Sequence, residues 1–205
     1  MNIKHHTTGE ILLELDGDSL ERQDLQRKRL SYADFTGIRM GEVDLQGADL
    51  RFADFTGCDL QGAILKSAHL NDAVFVGANL SHANLTDAIV MGAQFTEANL
   101  HNAVLRYARF SHCHLVGADL SEADLSMCDL SANLNDAVLR KANLRGANLT
   151  EANLTGADLS FANLLDANLA DANLAGVHMQ GAIGPRGQRI GVTPQRRRKW
   201  WRLWG

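Results

Sequence analysis

Proline is almost missing from this sequence of 205 residues: only Pro185 and Pro194 occur, both close to the C-terminus. A chain without proline before residue 185 can carry an unbroken ladder of backbone hydrogen bonds, because proline cannot donate to one. Aromatic residues are scarce, at 6%, while hydrophobic residues reach 45%. A sizeable core is therefore available, but it must be made of small and aliphatic side chains. There are three cysteines, Cys58, Cys113 and Cys128. An odd count without a signal peptide argues against a disulfide framework. The apolar run Ile11–Leu13 is interrupted by Glu14 and Asp16, which makes it too short and too acidic for a secretory leader. No stretch of about 18 apolar residues exists that would read as a membrane-spanning helix. A cytoplasmic location is expected.

Charge of one sign is missing locally. Seven of the 20 lysines and arginines lie beyond Ile183, where there is no acid, so residues 1–182 hold 13 cations against all 24 acids, a net of −11. The body is acidic and the tail basic. All three tryptophans, Trp200, Trp201 and Trp204, sit in that tail beside Arg196, Arg197, Arg198 and Lys199.

What is present is a repeat of five. From Phe35 to Leu130 a large apolar residue recurs every fifth position; the step is then four, to Leu134, and five again from there to Met179. All 30 of these centres are Leu, Phe, Met or Val, and the residue two before the centre is Ala in 24 of them. The exceptions, Ile38, Val43, Cys58, Cys113, Cys128 and Val177, are compact and apolar. A period of five matches neither a helix nor a flat strand. It requires a backbone that turns a corner in every repeat, with two residues pointing in and three pointing out. Counting back, Leu30, Leu25 and Leu20 keep the step, but Lys28, Gln23 and Asp18 occupy their small positions. Degenerate first repeats are usual in solenoids.

The runs Ala48-Asp49-Leu50, Ala78-Asn79-Leu80, Ala147-Asn148-Leu149 and Ala157-Asp158-Leu159 resemble those of the pentapeptide repeat family. The resemblance spans about four fifths of the chain. It implies an all-β fold: a right-handed quadrilateral β-helix, with four repeats per coil. Phe35, Phe55, Phe75 and Phe95 recur every 20 residues and, on such a coil, fall in one column. Their rings should then stack at the strand-to-strand spacing of about 4.8 Å, giving about eight coils and a rod about 40 Å long. Three parts are expected: a capping segment over residues 1–19, the β-helix over 20–182, and a basic, Trp-rich tail over 183–205. The residue missing between Leu130 and Leu134 falls in a corner, where Ser131 alone remains. Leu134 should still stack on Leu115 and Leu139 on Leu120, with a local kink or tightened corner.

The repeat accounts for most candidate chemistry. The three cysteines occupy small inward positions and behave there as compact hydrophobes. The repeat histidines, His69, His82, His101, His112, His114 and His178, point outward. His82 and His101 meet on adjacent coils without a third ligand, which does not make a zinc site. In His112-Cys113-His114 the alternation separates the thiol from the imidazoles. Neither a nucleophile–base pair nor a phosphate loop stands out, so no enzyme, cofactor or metal is expected.

Two features remain. Asp34, Asp44, Asp49, Asp54 and Asp59, with Glu42, crowd the early coils; a second group comprises Asp119, Glu122, Asp124 and Asp129. Later coils carry Asn143, Asn148, Asn153, Asn163, Asn168 and Asn173 at the position before the centre, where asparagines can form ladders. The first expectation is a non-enzymatic scaffold that presents acidic and polar faces to a protein partner. The alternative follows from the resemblance, since some pentapeptide repeat proteins imitate DNA and regulate or protect a type II topoisomerase against quinolones. The acidic body itself is unsuited to direct duplex DNA binding. The tail, Arg196–Lys199 with Trp200, Trp201 and Trp204, suits four roles: a cap that folds over the last coil, self-association through the C-terminal end, contact with an anionic membrane surface, or contact with another anionic partner, a single-stranded nucleic acid or an acidic protein.

Overall fold

The computed structural model describes residues 1–191. Each repeat closes a tight turn. The carbonyl of the central residue accepts from the amide three residues on, as in Ala33 N–H to Leu30 (3.1 Å) and Ala48 N–H to Leu45 (3.0 Å). The residue two after the centre lies at positive φ, as in Tyr32 (61°), Gly37 (67°) and Phe52 (60°). That combination is a type II turn. Between turns only the centre and its predecessor are extended, so the inter-coil pairing takes the form of isolated bridges instead of long strands.

The bridges set the coil length. Asp24 pairs with Asp44, Asp34 with Asp54 and Asn79 with Asn99, all parallel and 20 residues apart. Four turns therefore complete one coil, and the rod has four sides. Across the shortened repeat the step falls to 19, with His114 on Asn133 and Asp129 on Asn148, and Asn133 on Asn153 restores 20. Leu115 donates to Asn133 C=O and Leu120 to Val138 C=O (2.7 Å each), so the core register survives the lost residue as expected.

The centres from Leu20 to Leu164 are buried, together with the alanines and cysteines that precede them by two. Phe35, Phe55, Phe75 and Phe95 stack with centroids 4.8, 4.7 and 4.6 Å apart, a parallel arrangement favourable for π-systems when offset. Phe110, one side over, meets Phe95 at 5.4 Å and 46°, and Leu115 takes the place above Phe95 in the column.

The chain reverses at both ends of the described rod. Strand β1 (Asn2–Lys4) pairs antiparallel with β2 (Ile11–Glu14). Beyond β1, His5 bridges Ala33, with Asp34 N–H donating to Lys4 C=O and His6 N–H to Tyr32 C=O (2.8 Å each). The hairpin thus occupies an open edge of the first coil, and buried Ile3 plugs the core beneath it. At the other end the tail begins later than residue 183. Ile183 bridges Arg189, Gly184 N–H donates to Gln188 C=O (2.7 Å) and Ile190 N–H to Ala182 C=O (2.9 Å). Residues 183–190 turn back over one side of the last coil, and Gly187, at φ 77°, permits the reversal. Among the described residues there is no helix, hence none long and apolar enough to cross a membrane.

Candidate interaction surfaces

Asp34, Asp44, Asp49, Asp54 and Asp59 all precede a centre, and each carboxylate accepts from the amide of the residue following that centre. The donors are Thr36 (3.0 Å), Gln46 (3.0 Å), Arg51 (3.4 Å), Thr56 (2.9 Å) and Gln61 (3.2 Å). An Asx turn of this kind binds the side-chain oxygen to the backbone two residues on. Asparagine does the same in the later coils, as in Thr150 N–H to Asn148 Oδ1 and Thr155 N–H to Asn153 Oδ1 (3.2 Å each). The recurrence of Asp and Asn at this position is therefore a requirement of the turn. Sequence reasoning read these residues as surface charge and missed the role; the signal was their interchangeability, since only the shared Oδ1 is needed.

The five acids do not share a face. Asp44 stands in the column Asp24–Asp44–Ile64, Asp49 in Arg29–Asp49–His69, Asp34 and Asp54 in Asp34–Asp54–Val74, and Asp59 in Arg39–Asp59–Asn79. They ring the rod, and only Asp34 and Asp54 are neighbours along it. Cations are interspersed. Arg51 holds Asp49 in a two-point contact (2.7 and 2.8 Å), and this hydrogen bonding keeps the Asp49 carboxyl below its ordinary pKa. Arg22 pairs with Glu42 at 3.0 Å. Asparagine ladders form in part: Asn99 donates to Asn79 (3.2 Å), Asn153 to Asn133 (3.1 Å), Asn143 to Asp124 (3.0 Å) and Asn148 to Asp129 (3.1 Å).

The side that carries Asp59 holds an open polar groove of about 660 Å³ near the N-terminal end. Gly41 and Gly62 leave the space, and Glu21, Arg22, Glu42, Asp59 and His82 line it. On the corner that carries Tyr32, an exposed aromatic stack runs from His5 to Tyr32 (4.9 Å) and from Tyr32 to Phe52 (4.7 Å). Sequence reasoning missed this stack, although Tyr32 and Phe52 lie one coil apart at the same repeat position.

The histidine and cysteine readings can be placed directly. His82 and His101 meet edge-on at 6.3 Å. His112 and His114 are exposed and Cys113 is buried between them. Burial raises the thiols of Cys58 and Cys113 to about 12 and that of Cys128 well above its ordinary value. Such groups are protonated at neutral pH, and the thiolate is the nucleophilic form. Arg196, Arg197, Arg198, Lys199, Trp200, Trp201 and Trp204 lie outside the described residues.

The pentapeptide repeats family model matches in 8 copies, over residues 24–62, 53–92, 93–131, 132–164 and 152–183. The chain belongs to the pentapeptide repeat family. Its members form right-handed quadrilateral β-helices, and the four-sided, 20-residue coil described above is that helix. No curated protein matches this pentapeptide repeat protein. Among solved structures, full-length QnrB1, a plasmid-mediated fluoroquinolone resistance protein, is 21% identical with a TM-score of 0.52, covering 80% of this chain and 90% of its own. A trypsin-treated QnrB1 is 22% identical with a TM-score of 0.55, covering 78% and 89%. HetL, involved in heterocyst differentiation regulation in the cyanobacterium Nostoc, is 28% identical with a TM-score of 0.42, covering 85% and 94%. At these identities the likeness to QnrB1 is one of fold.

Proposed function

We propose that this pentapeptide repeat protein is a non-enzymatic, cytoplasmic scaffold that binds a protein partner through its polar and acidic surface near the N-terminal coils. The observation that carries this reading is the groove beside Glu21, Glu42 and Asp59. It is open, polar and net acidic, and it lies on a four-sided rod of which the buried centres, the alanines and the cysteines are taken up by the core. The buried, protonated thiols and the separated histidines offer no catalytic set. A surface of this kind recognises its partner by charge complementarity, which acts mainly on encounter rate and specificity.

The Asx turn supplies a clean test. Changing Asp34, Asp44, Asp49, Asp54 and Asp59 to Asn, together with Glu21 and Glu42 to Gln, keeps the Oδ1 acceptors and removes seven negative charges, the three of the groove among them. The variant should melt close to the wild type yet lose the salt-sensitive protein partner that the wild type retains from cell extract. Retention of the same partner by the folded variant would remove the acidic surface from the reading.

A second reading, regulation of a type II topoisomerase by DNA imitation, draws support from the fold likeness to QnrB1. A gyrase supercoiling assay separates the two: DNA imitation requires inhibition or protection at micromolar protein, and a scaffold of the first kind gives none.

A further inference from the structure

The shortened corner at Ser131 leaves a defect that occurs once in the described rod. From Leu20 to Met179 every central carbonyl accepts the turn bond from the amide three residues on, except that of Leu130. Ala132 takes the place of that donor, and among the described residues its buried amide has no acceptor. The missing residue is the one that stands at positive φ in other turns. Its amide would donate to the coil above, as Tyr107 does to Ser126 C=O, Met127 to Arg145 C=O and Glu151 to Ala170 C=O. The carbonyl it would have served is that of Thr150, which is left without a donor among the described residues. Two backbone acceptors, Leu130 C=O and Thr150 C=O, and one donor, Ala132 N–H, are thus left unpaired where one residue has been removed.

Beside that space opens a notch of about 310 Å³ lined by His112, His114, Ser131, Ala132, Asn133 and Glu151; Leu130 and Thr150 directly precede the lining residues Ser131 and Glu151 in sequence. His112 occupies the same corner one coil below the gap and Glu151 one coil above. Glu151 makes no ion pair among the described residues. Asp171 stands at the same corner one coil further on, so the field at the upper rim is negative. Asp129 faces the same corner but is engaged by Ser131 Oγ (2.8 Å) and Asn148 Nδ2 (3.1 Å).

We propose that this notch is a binding site for a guanidinium group, the side chain of an arginine on a partner protein. Two unpaired acceptors stand against the one orphaned donor, Ala132 N–H, so the balance at the gap calls for N–H groups. A carboxylate beside them calls for positive charge. Guanidinium supplies five donors in one plane together with a permanent charge, and it is small enough to enter a notch of about 310 Å³. A metal ion is a poorer match, since among the described residues no three of His, Cys, Asp and Glu gather closely enough to hold one. The shortened repeat is then a built recognition feature, and the loss of its turn bond is the cost of the site. As a statement about a partner's arginine it rests on the scaffold reading; as a statement about the notch it stands alone.

The test uses the full chain and Nα-acetyl-arginine methylamide as probe, with the citrulline analogue as its neutral isostere, followed by amide chemical shifts. Saturable shifts are expected at His112, Ser131, Ala132, Asn133 and Glu151 with the arginine probe and not with citrulline. Insertion of one glycine between Ser131 and Ala132 restores the period of five, fills the notch and returns a donor to Thr150 C=O. That variant should melt no lower than the wild type and should lose the shifts. Glu151→Gln, which leaves the backbone alone, should weaken binding about tenfold, the size expected for one charge-assisted hydrogen bond. The proposal fails if the wild type gives no saturable shift, if citrulline binds equally, or if Glu151→Gln and the folded insertion variant bind as the wild type does; a water-filled gap would give the first of these. Loss of partner capture in the variant with seven acids neutralised, with this titration intact, would separate the acidic surface from the notch.

Discussion

At the scale of single residues, the repeat assigns each position a physical task. The centre fills the core, the residue two before it packs small, the residue between them holds the Asx turn, and the residue two after the centre takes positive φ. The last of these is occupied by bulky side chains such as Phe52 (60°), Tyr107 (60°) and Phe161 (62°), a conformation that costs an L-residue roughly 1–2 kcal/mol. It persists because the coils above and below hold each turn in its ladder. The thiols obey the same positional logic. Cys58 and Cys113 donate to Phe35 C=O and Val90 C=O, and burial places both near 12. The raised value keeps the neutral thiol far above physiological pH. Native protein at pH 8 should therefore leave Cys58, Cys113 and Cys128 unreacted with a disulfide reagent, and all three should react in denaturant. Rapid labelling of any of them in the folded protein would contradict the core assignment.

At the scale of the element, the unit is the turn and the column it builds. The inward positions were legible in the sequence because burial selects strongly for shape: Leu or Phe at the centre, Ala before it. The Phe column was legible for the same reason, since four phenylalanines one coil apart leave little choice of register. The Asx turns were not, because Asp and Asn read as charge and amide when their common oxygen is what the backbone uses. The surface stack of His5, Tyr32 and Phe52 escaped notice because one member comes from the terminal hairpin, outside the repeat. Within the buried column, Phe75 is held on both faces, by Phe55 at 4.7 Å and Phe95 at 4.6 Å. Truncation there removes two stacked contacts and leaves a cavity that neighbouring coils cannot close without breaking their ladders. Phe75→Ala should cost about 3–5 kcal/mol, read as a shift in the denaturant midpoint, whereas Phe75→Leu, the residue found at most other centres, should cost much less. Equal losses for the two would mean that volume alone, without the stack, matters at this site.

At the scale of the whole molecule, the rod has no edge along its sides and two at its ends. A solenoid coil pairs only with its neighbours, so each terminal coil presents unpaired amides and carbonyls, and unprotected edges of this kind recruit other chains. This protein covers its first coil with the hairpin of β1 and β2. Asp34 N–H donates to Lys4 C=O and His6 N–H to Tyr32 C=O, and Ile3, at 1% exposure, closes the core. The sequence indicated a capping segment there but not its antiparallel docking on Tyr32–Asp34, because residues 2–6 carry no periodic signal. Removal of residues 1–16 should leave coils two to eight folded, since each is stabilised by its neighbours, while exposing Leu20, Leu25, Leu30 and the edge at Ala33. The shortened chain should elute as dimers or larger species in size-exclusion chromatography with light scattering, with its far-ultraviolet signal retained and association rising with concentration. A folded species with the same association state as the full-length chain would show that the hairpin is dispensable as a cap, and that the degenerate first repeats, with Asp18, Gln23 and Lys28 at their small positions, protect the end by their polarity alone.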